Sequence, residues 1–349
     1  MKLDALDRAL LNRLQARIPL TAEPWRAVGE ELGLAPGEVL ERLKGLKEQG
    51  VIRRVGGVFN PAGLGFAGRL YAMEVEESRF YEAAAVVNGF KGVTHNYRRR
   101  HRLNMWFTLS ARSEEEREAI LGPIREAAGE PRLYEFPSEQ VFKLNVFLNM
   151  EGDAKKGSPP LPGSQERVNL SLRRACETDE LDLRIIRELQ GDMPLLPDPF
   201  AEVADRAGCG REDVLMRLER LESTGVLKRV AAVLRHREAG FSANGLFVAV
   251  MPQDKIGEAG RRLAAFKQVS HCYQRRSYPD WPYNLYAMIH APEEAEVQRV
   301  VREFIEQEPV GAYDILFSTE ELKKQAGPCN FLRKRPGLRA AAVLIWREV

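Results

Sequence analysis

The sequence predicts an α+β protein in which one arrangement occurs twice: three helices and a short strand, then a module ordered β-α-β-β-α-β, the two copies forming a pseudo-dimer. Three observations predict it. Residue pairs recur 175 positions apart: Leu6-Asp7 with Leu181-Asp182, Pro24 with Pro199, Gly33 with Gly208, Arg42-Leu43 with Arg217-Leu218, Gly50-Val51 with Gly225-Val226, and Gly65-Phe66 with Gly240-Phe241. Apolar residues at the start of each copy fall at helical spacing. Beyond them, short apolar strand candidates alternate with two helical stretches in each copy. A chain of 349 residues has ample length for such cores.

In order, residues 4–54 read as three helices. Leu6, Leu10, Leu11 and Leu14 have helical spacing, with Asp4 and Asp7 near the positive end of the helix dipole. Pro19 and Pro24 separate this helix from a second over Trp25 to Leu32, which Gly33 closes. A third runs from Pro36 to Gln49, burying Val39, Leu40, Leu43 and Leu46, with Gly50 as its stop. VIRRVGGVFNP then reads as a β-wing, completing a winged helix-turn-helix. From Gly65 the order is strand RLYAMEV, helix FYEAAAVVNGF, strand VTHNYRRR, strand NMWFTLSA, helix SEEEREAILGPIREA and an extended LYEFPSEQVFKLN. That order is ferredoxin-like, with both helices on one sheet face.

Residues 151–178 are rich in Gly, Pro, Ser and charge and read as a linker. The second copy then restates the order through LFVAVMP, VSHCYQRR, YNLYAMIH and AYDILFST. The expected domains are a winged helix-turn-helix over 1–60, a ferredoxin-like module over 61–150, the linker, a second winged helix-turn-helix over 179–236 and a second ferredoxin-like module over 237–349. The basic then apolar tail FLRKRPGLRAAAVLIWREV is expected to pack on a neighbour as a strand or helix.

Several function classes are disfavoured. Lys and Arg number 52 against 50 Asp and Glu, so the net charge of +2 gives little global attraction for a polyanion. The N-terminal turns of the third helices read Pro36-Gly37-Glu38 with Glu41 following, and Gly210-Arg211-Glu212-Asp213. Carboxylates there would repel phosphates, so nucleic acid is not the expected partner and the helix-turn-helix reads as scaffold and dimer interface. Basic residues near the wings, Arg53, Arg54, Lys228, Arg229, Arg235, His236 and Arg237, suit either phosphate, a ligand carboxylate or plain solvation. Cys176, Cys209, Cys272 and Cys329 are scattered without a CxxC, which suggests neither zinc nor a disulfide framework. No apolar run approaches the ~20 residues of a membrane span, so a cytoplasmic location is the default expectation.

The chemistry concentrates in one duplicated stretch. HNYRRRHRLNMWFT, from His95, is echoed by HCYQRRSYPDWPYNLYAM, from His271. His95, Tyr97, Arg99 and Arg100 match His271, Tyr273, Arg275 and Arg276, and after a four-residue insertion Asn104 matches Asn284. On an extended strand His95, Tyr97 and Arg99 project together, and Asn96, Arg98 and Arg100 project oppositely. An imidazole, a phenol and a guanidinium each need a partner when buried, which is unusual for a core and suited to an anionic ligand that also requires a proton donor or iron ligand. A solvated basic edge strand is the plainer alternative. His101 and His290 read as ordinary residues. Trp106, Phe107, Trp281 and Tyr286 read as core or cleft wall on which a flat macrocycle would also pack.

Over both halves this arrangement resembles the Lrp/AsnC regulators. The two polar stretches resemble more specifically the siroheme decarboxylases, an enzyme branch on that fold with two homologous subunits, here carried on one chain. The resemblance implies removal of the C12 and C18 acetate carboxylates of siroheme, giving 12,18-didecarboxysiroheme and carbon dioxide in alternative haem b or haem d1 biosynthesis. It implies His95, His271, Tyr97 and Tyr273 as catalytic, with His95 or His271 as a candidate axial ligand of the siroheme iron. Arg98, Arg99, Arg100, Arg275, Arg276, Asn104, Asn284 and Trp106 become the substrate-binding set, since guanidinium groups pair bidentately with carboxylates. It implies no cofactor beyond the iron tetrapyrrole substrate, a pseudo-heterodimer of the two halves and further homodimerisation as an open option. The copies differ, Arg98 standing where Gln274 does and Asn96 where Cys272 does, and the insertion around Ser277 to Trp281 reshapes the second hairpin, so equal use of both is not expected. The alternatives are an Lrp/AsnC-type transcription regulator and a haem or siroheme sensor.

Overall fold

The computed structural model describes residues 3–144, 150, 177–235 and 243–324. The linker except for its last two residues, the tail, His236 and Arg237 lie outside the described residues.

Three helices open the chain: α1 (Ala5–Ala16), α2 (Pro24–Leu32) and α3 (Pro36–Glu48). A capping box starts α1: the Asp4 carboxylate accepts from the Asp7 N–H and the Asp7 carboxylate from the Asp4 N–H. Leu10, Leu11 and Leu14 are fully buried, whereas Leu6, expected on the same stripe, is 38% exposed at the first turn. Pro24 begins α2, and Gly33 ends it at φ +70°, a left-handed conformation that favours glycine. The strand β1 (Ile52–Phe59) follows. The second copy supplies α6 (Glu180–Gln190), α7 (Pro199–Ala207), α8 (Arg211–Ser223) and β7 (Leu227–Leu234), with the capping box repeated by Asp179 and Asp182 and the left-handed cap by Gly208.

The expected β-wings do not close on their own domains. β1 pairs antiparallel with β7, so each helix-turn-helix contributes one strand to a shared ribbon. Other contacts tie the same two domains together. The Trp25 indole donates to the Leu196 carbonyl at 2.6 Å, Arg17 pairs with Glu222 at 2.7 Å, and the Ile18 N–H donates to the Val230 carbonyl at 2.7 Å.

The remaining elements are β2 (Ala67–Met73), α4 (Phe80–Gly89), β3 (Val93–Arg99), β4 (Met105–Ala111), α5 (Glu114–Ala128), β5 (Leu133–Phe136) and β6 (Ser138–Leu144), then β8 (Ala243–Ala249), α9 (Ile256–Ala265), β9 (Val269–Arg275), β10 (Leu285–Ala291), α10 (Glu294–Ile305) and β11 (Tyr313–Lys324). Both copies follow the β-α-β-β-α-β order. The extended segment after α5 is two strands, because Pro137 lacks the N–H that would continue the ladder. β5 pairs with β2 of its own copy, while β6 pairs with β9 of the other. β11 does the reciprocal: Tyr313–Phe317 pair with β8 and the residues from Ser318 pair with β3.

The chain therefore forms two compact units that do not follow its order. One contains the described residues within 1–64 and 138–317; the other contains 65–137 with the described residues from Ser318. In the first, the sheet runs β11-β8-β10-β9-β6 and its core includes Phe247, Leu263, Leu285, Val297 and Phe304. In the second, it runs β5-β2-β4-β3-β11 and its core includes Tyr71, Phe80, Val87, Met105, Phe107 and Ile124. Each exchanged strand carries a lysine near its end, Lys323 buried and Lys143 half-buried. The Lys323 ammonium donates to the Asn88 and Phe90 carbonyls at 2.6 and 2.8 Å, at the C-terminal end of α4, and Lys143 donates to the Phe266 carbonyl at 3.0 Å, at the end of α9. A cation there complements the helix dipole, although burial pushes Lys323 down to about 8. The Phe142 ring next to Lys143 lies so close to Gly260 that a Cβ there would stand 2.4 Å from it, which explains the glycine inside α9. Among the described residues, no helix is long and apolar enough to cross a membrane.

Candidate functional site

The alternation read on β3 holds. Asn96 and Arg98 lie on the α4 side: the Asn96 amide donates to the Asn88 side chain at 3.1 Å, and Arg98 stacks 4.4 Å over Phe80 while pairing with Glu77 at 2.5 Å and the Tyr81 hydroxyl at 3.2 Å. His95, Tyr97 and Arg99 occupy the opposite face. The His95 and Tyr97 rings stack at 6.2 Å, and the Arg99 guanidinium lies 5.5 Å from the Tyr97 ring. Burial pushes Arg99 down to about 10, and the Tyr97 phenol opposes that shift.

The second copy reproduces this geometry on β9. His271 and Tyr273 stack at 6.2 Å with the same 22° between planes, and Arg275 lies 4.3 Å from Tyr273. In each copy a hydroxyl one residue ahead meets the imidazole: Thr94 Oγ1 to His95 Nδ1 at 3.0 Å, and Ser270 Oγ to His271 Nδ1 at 2.8 Å. Engaging Nδ1 restrains the orientation of each ring. This hydroxyl was missed in the sequence. Its signal was available, since a Thr or Ser precedes the histidine in both copies.

Burial pushes the Tyr273 phenol up to about 12, with Arg275 pulling the other way. The phenol therefore stays protonated through neutral and mildly alkaline solution. An activity profile in which the limb between about pH 7 and 10 is the same in Tyr273→Phe as in the parent is the expected outcome. A limb that disappears in the variant would assign that titration to Tyr273.

The hairpin after β3 opens a groove of about 580 Å³ lined by Glu77, Arg98, Arg99, Arg100, His101, Asn104, Thr319 and Glu320. Beside it, a second open pocket of about 800 Å³ shares His101 and Asn104 and adds Arg79, Arg102, Arg132, Tyr134 and two glutamates. Two or more guanidinium groups facing one space suit a polycarboxylate. Arg100 and Arg276 are exposed past the ends of their strands, while Arg99 and Arg275 are buried. Thr319 and Glu320 reach the groove because the exchanged strand pairs with β3, which no local pattern announces.

Three expected binding residues have other employment. Asn104 accepts from the Val75 N–H at 2.9 Å and donates to the Val75 carbonyl at 2.8 Å, and Asn284 does the same to Met251 at 2.8 Å each way. Both amides thereby clamp the hairpin to the preceding strand end. Trp106 faces Tyr97 across the ladder, donates its indole N–H to Leu103 at 2.7 Å and stacks on Phe136 at 5.5 Å. It is wall. His101, expected to be ordinary, lines both pockets, with Nδ1 accepting from the Leu103 N–H at 2.9 Å.

In the helix-turn-helix pair, arginines of the third helices are held by acids. Arg42 bonds Asp4 and Asp7 at 2.9 Å each, and Arg217 bonds Asp179 and Asp182 at 2.7 and 2.8 Å. Arg211 is held by Asp198 and Glu212. Each of these guanidinium groups is tied to carboxylates of its own helix-turn-helix domain.

Two tandem copies, each a helix-turn-helix followed by an Lrp/AsnC-like α+β module, define the class. Residues 63–143 and 238–323 match the AsnC-like ligand binding domain, and residues 7–53 and 182–227 match the siroheme decarboxylase NirDL-like HTH domain. The siroheme decarboxylase of Hydrogenobacter thermophilus is 35% identical over 316 residues, 90% of this chain and 92% of that one. The chain belongs to the siroheme decarboxylase family. The siroheme decarboxylase alpha subunit of Desulfovibrio desulfuricans is 43% identical over 152 residues, 44% of this chain and 87% of that one, so one subunit there corresponds in extent to one half here. A crystal structure of the siroheme decarboxylase NirDL with an iron-uroporphyrin III analogue superposes with a TM-score of 0.68 at 30% identity, over 93% of this chain and 94% of that one.

Proposed function

We propose that this chain decarboxylates siroheme, removing two acetate carboxylates, those at C12 and C18, as carbon dioxide, with its two halves acting as the two subunits of a pseudo-heterodimer. The observation that carries the reading is the duplicated His-Tyr-Arg face with a hydroxyl set against each imidazole, on a chain of this family. Family membership and the assembly of arginines around the first hairpin support it over a DNA-binding regulator, whose third-helix arginines would have to be unpaired from their acids.

The chemistry is redox-neutral. The C–C bond to each carboxylate breaks, its electron pair passes into the conjugated macrocycle, and one proton added at the exocyclic carbon leaves a methyl group. Arginines at the groove hold carboxylates in place, and His95 or its copy His271 delivers the proton from Nε2 or ligates the substrate iron. Tyr97 or its copy Tyr273, stacked on the imidazole, orients the reacting carboxylate or relays the proton bound for the exocyclic carbon.

Anaerobic incubation with siroheme, followed by mass spectrometry of the extracted tetrapyrrole, is expected to show loss of about 88 Da, two carbon dioxide units, absent from a boiled control. A changed visible spectrum without mass loss would instead make the protein a sensor. Absence of both changes would overturn the reading.

A further inference from the structure

We propose that the pocket of about 800 Å³ beside the groove is a second carboxylate subsite for the same tetrapyrrole, with His101 as a donor where the two spaces meet; this rests on the tetrapyrrole reading above. A macrocycle with carboxylates around its whole rim leaves most of them unmatched if cations meet it on one side only. Groove and pocket share His101 and Asn104, so a ligand seated in one extends into the other past that imidazole. The hydrogen bond at His101 defines its tautomer. Nδ1 accepts from the Leu103 N–H at 2.9 Å, so the neutral ring carries its proton on Nε2. Nε2 is then a donor, suited to a carboxylate and unable to ligate iron while that bond is kept.

Three arginines line the pocket. Arg79 pairs with no acid among the described residues, and its stem lies over the end of α5, where a Cβ on Gly129 would stand 3.3 Å from Arg79 Cδ. Arg132 lies 4.5 Å over the Tyr134 ring, a contact that holds a guanidinium by its face while its N–H donors radiate in its own plane. Of the two acids in the lining, Glu74 is paired with Arg102 at 3.1 Å, so the remaining charge is two guanidinium groups against Glu76. The corresponding place in the second copy is built otherwise. Val75 and Met251 take the same asparagine clamp, and Met73 pairs with Leu133 as Ala249 does with Tyr313. That register sets Val250, Pro252, Ala312 and Asp314 where the first copy has Glu74, Glu76, Arg132 and Tyr134. Of the pocket's arginines, Arg79 alone has a cationic counterpart, Lys255, each of them the N-cap of its helix.

Anaerobic titration of the full chain with iron-uroporphyrin III, read by visible absorbance at one fixed salt concentration, tests the subsite. Arg79→Glu and Arg132→Glu are each expected to raise Kd by about tenfold, and His101→Phe, which removes the donor, by about fivefold. Lys255→Glu makes the same change of charge at the counterpart position and is expected to leave Kd within about twofold. Arg79, Arg132 and Lys255 are exposed, so folding is spared in the charge-reversed variants. Kd values for Arg79→Glu, Arg132→Glu and His101→Phe no higher than for Lys255→Glu overturn the proposal and leave the decarboxylase reading standing. Absence of binding by the unaltered chain, together with absence of mass loss from siroheme, removes both.

Discussion

Replacement of His95 by alanine is expected to slow carbon dioxide release from siroheme by roughly 100- to 10,000-fold, the range over which a positioned general acid acts. The imidazole is held for such a role, with its ring stacked at 6.2 Å on Tyr97 and its Nδ1 set against Thr94. If His95 serves as proton donor, the variant binds iron-uroporphyrin III with an unchanged visible spectrum and a lost rate. If it serves as iron ligand, the spectrum changes too. Single-turnover rates and spectra of the same preparation separate the two roles, and unchanged values of both would take His95 out of the mechanism. The parallel change at His271 reads the second copy.

Thr94→Val tests the hydroxyl independently: a positioning role predicts a lower rate and a shifted pH profile with iron-uroporphyrin III binding retained.

The parts legible in the sequence were those governed by neighbours along the chain. The acids Asp4 and Asp7 at the start of α1, the left-handed Gly33 and Gly208, and the faces assigned on β3 all follow from the helix dipole, local dihedral preferences and side-chain alternation. The parts that were not legible depend on which strand meets which. An extended stretch presents the same N–H and C=O groups to either side, so nothing in SEQVFKL shows that β6 joins β9, and nothing in VIRRVGGVF shows that β1 joins β7. The same limit hid Glu320 from the groove. Asn104 and Asn284 carry a part the sequence does not show, since a repeated polar residue beside a basic cluster suits both a ligand and a backbone clamp, and the hydrogen bonds to Val75 and Met251 add the clamp while Asn104 still lines both pockets.

The largest stability effect is expected at Asp182. Its carboxylate is fully buried, bonds Arg217 at 2.8 Å and Arg220, and accepts from the Asp179 N–H at 2.9 Å as part of the α6 capping box. Asp182→Ala therefore leaves two guanidinium groups short of a buried partner and opens the cap, a combination expected to cost about 3–5 kcal/mol. Asp7 is its copy in α1, with the same bond to the equivalent arginine, Arg42, at 2.9 Å, but its side chain is 20% exposed and water screens the pair. Asp7→Ala is expected to cost only about 1 kcal/mol. Urea unfolding of both variants, followed by far-ultraviolet circular dichroism, compares two chemically identical deletions that differ in burial. Equal midpoints for the two would mean that Asp179 takes over both arginines and that burial of the pair contributes nothing. A much lower midpoint for Asp182→Ala would place the stronger anchor in the second helix-turn-helix, where the shared ribbon joins it to the first.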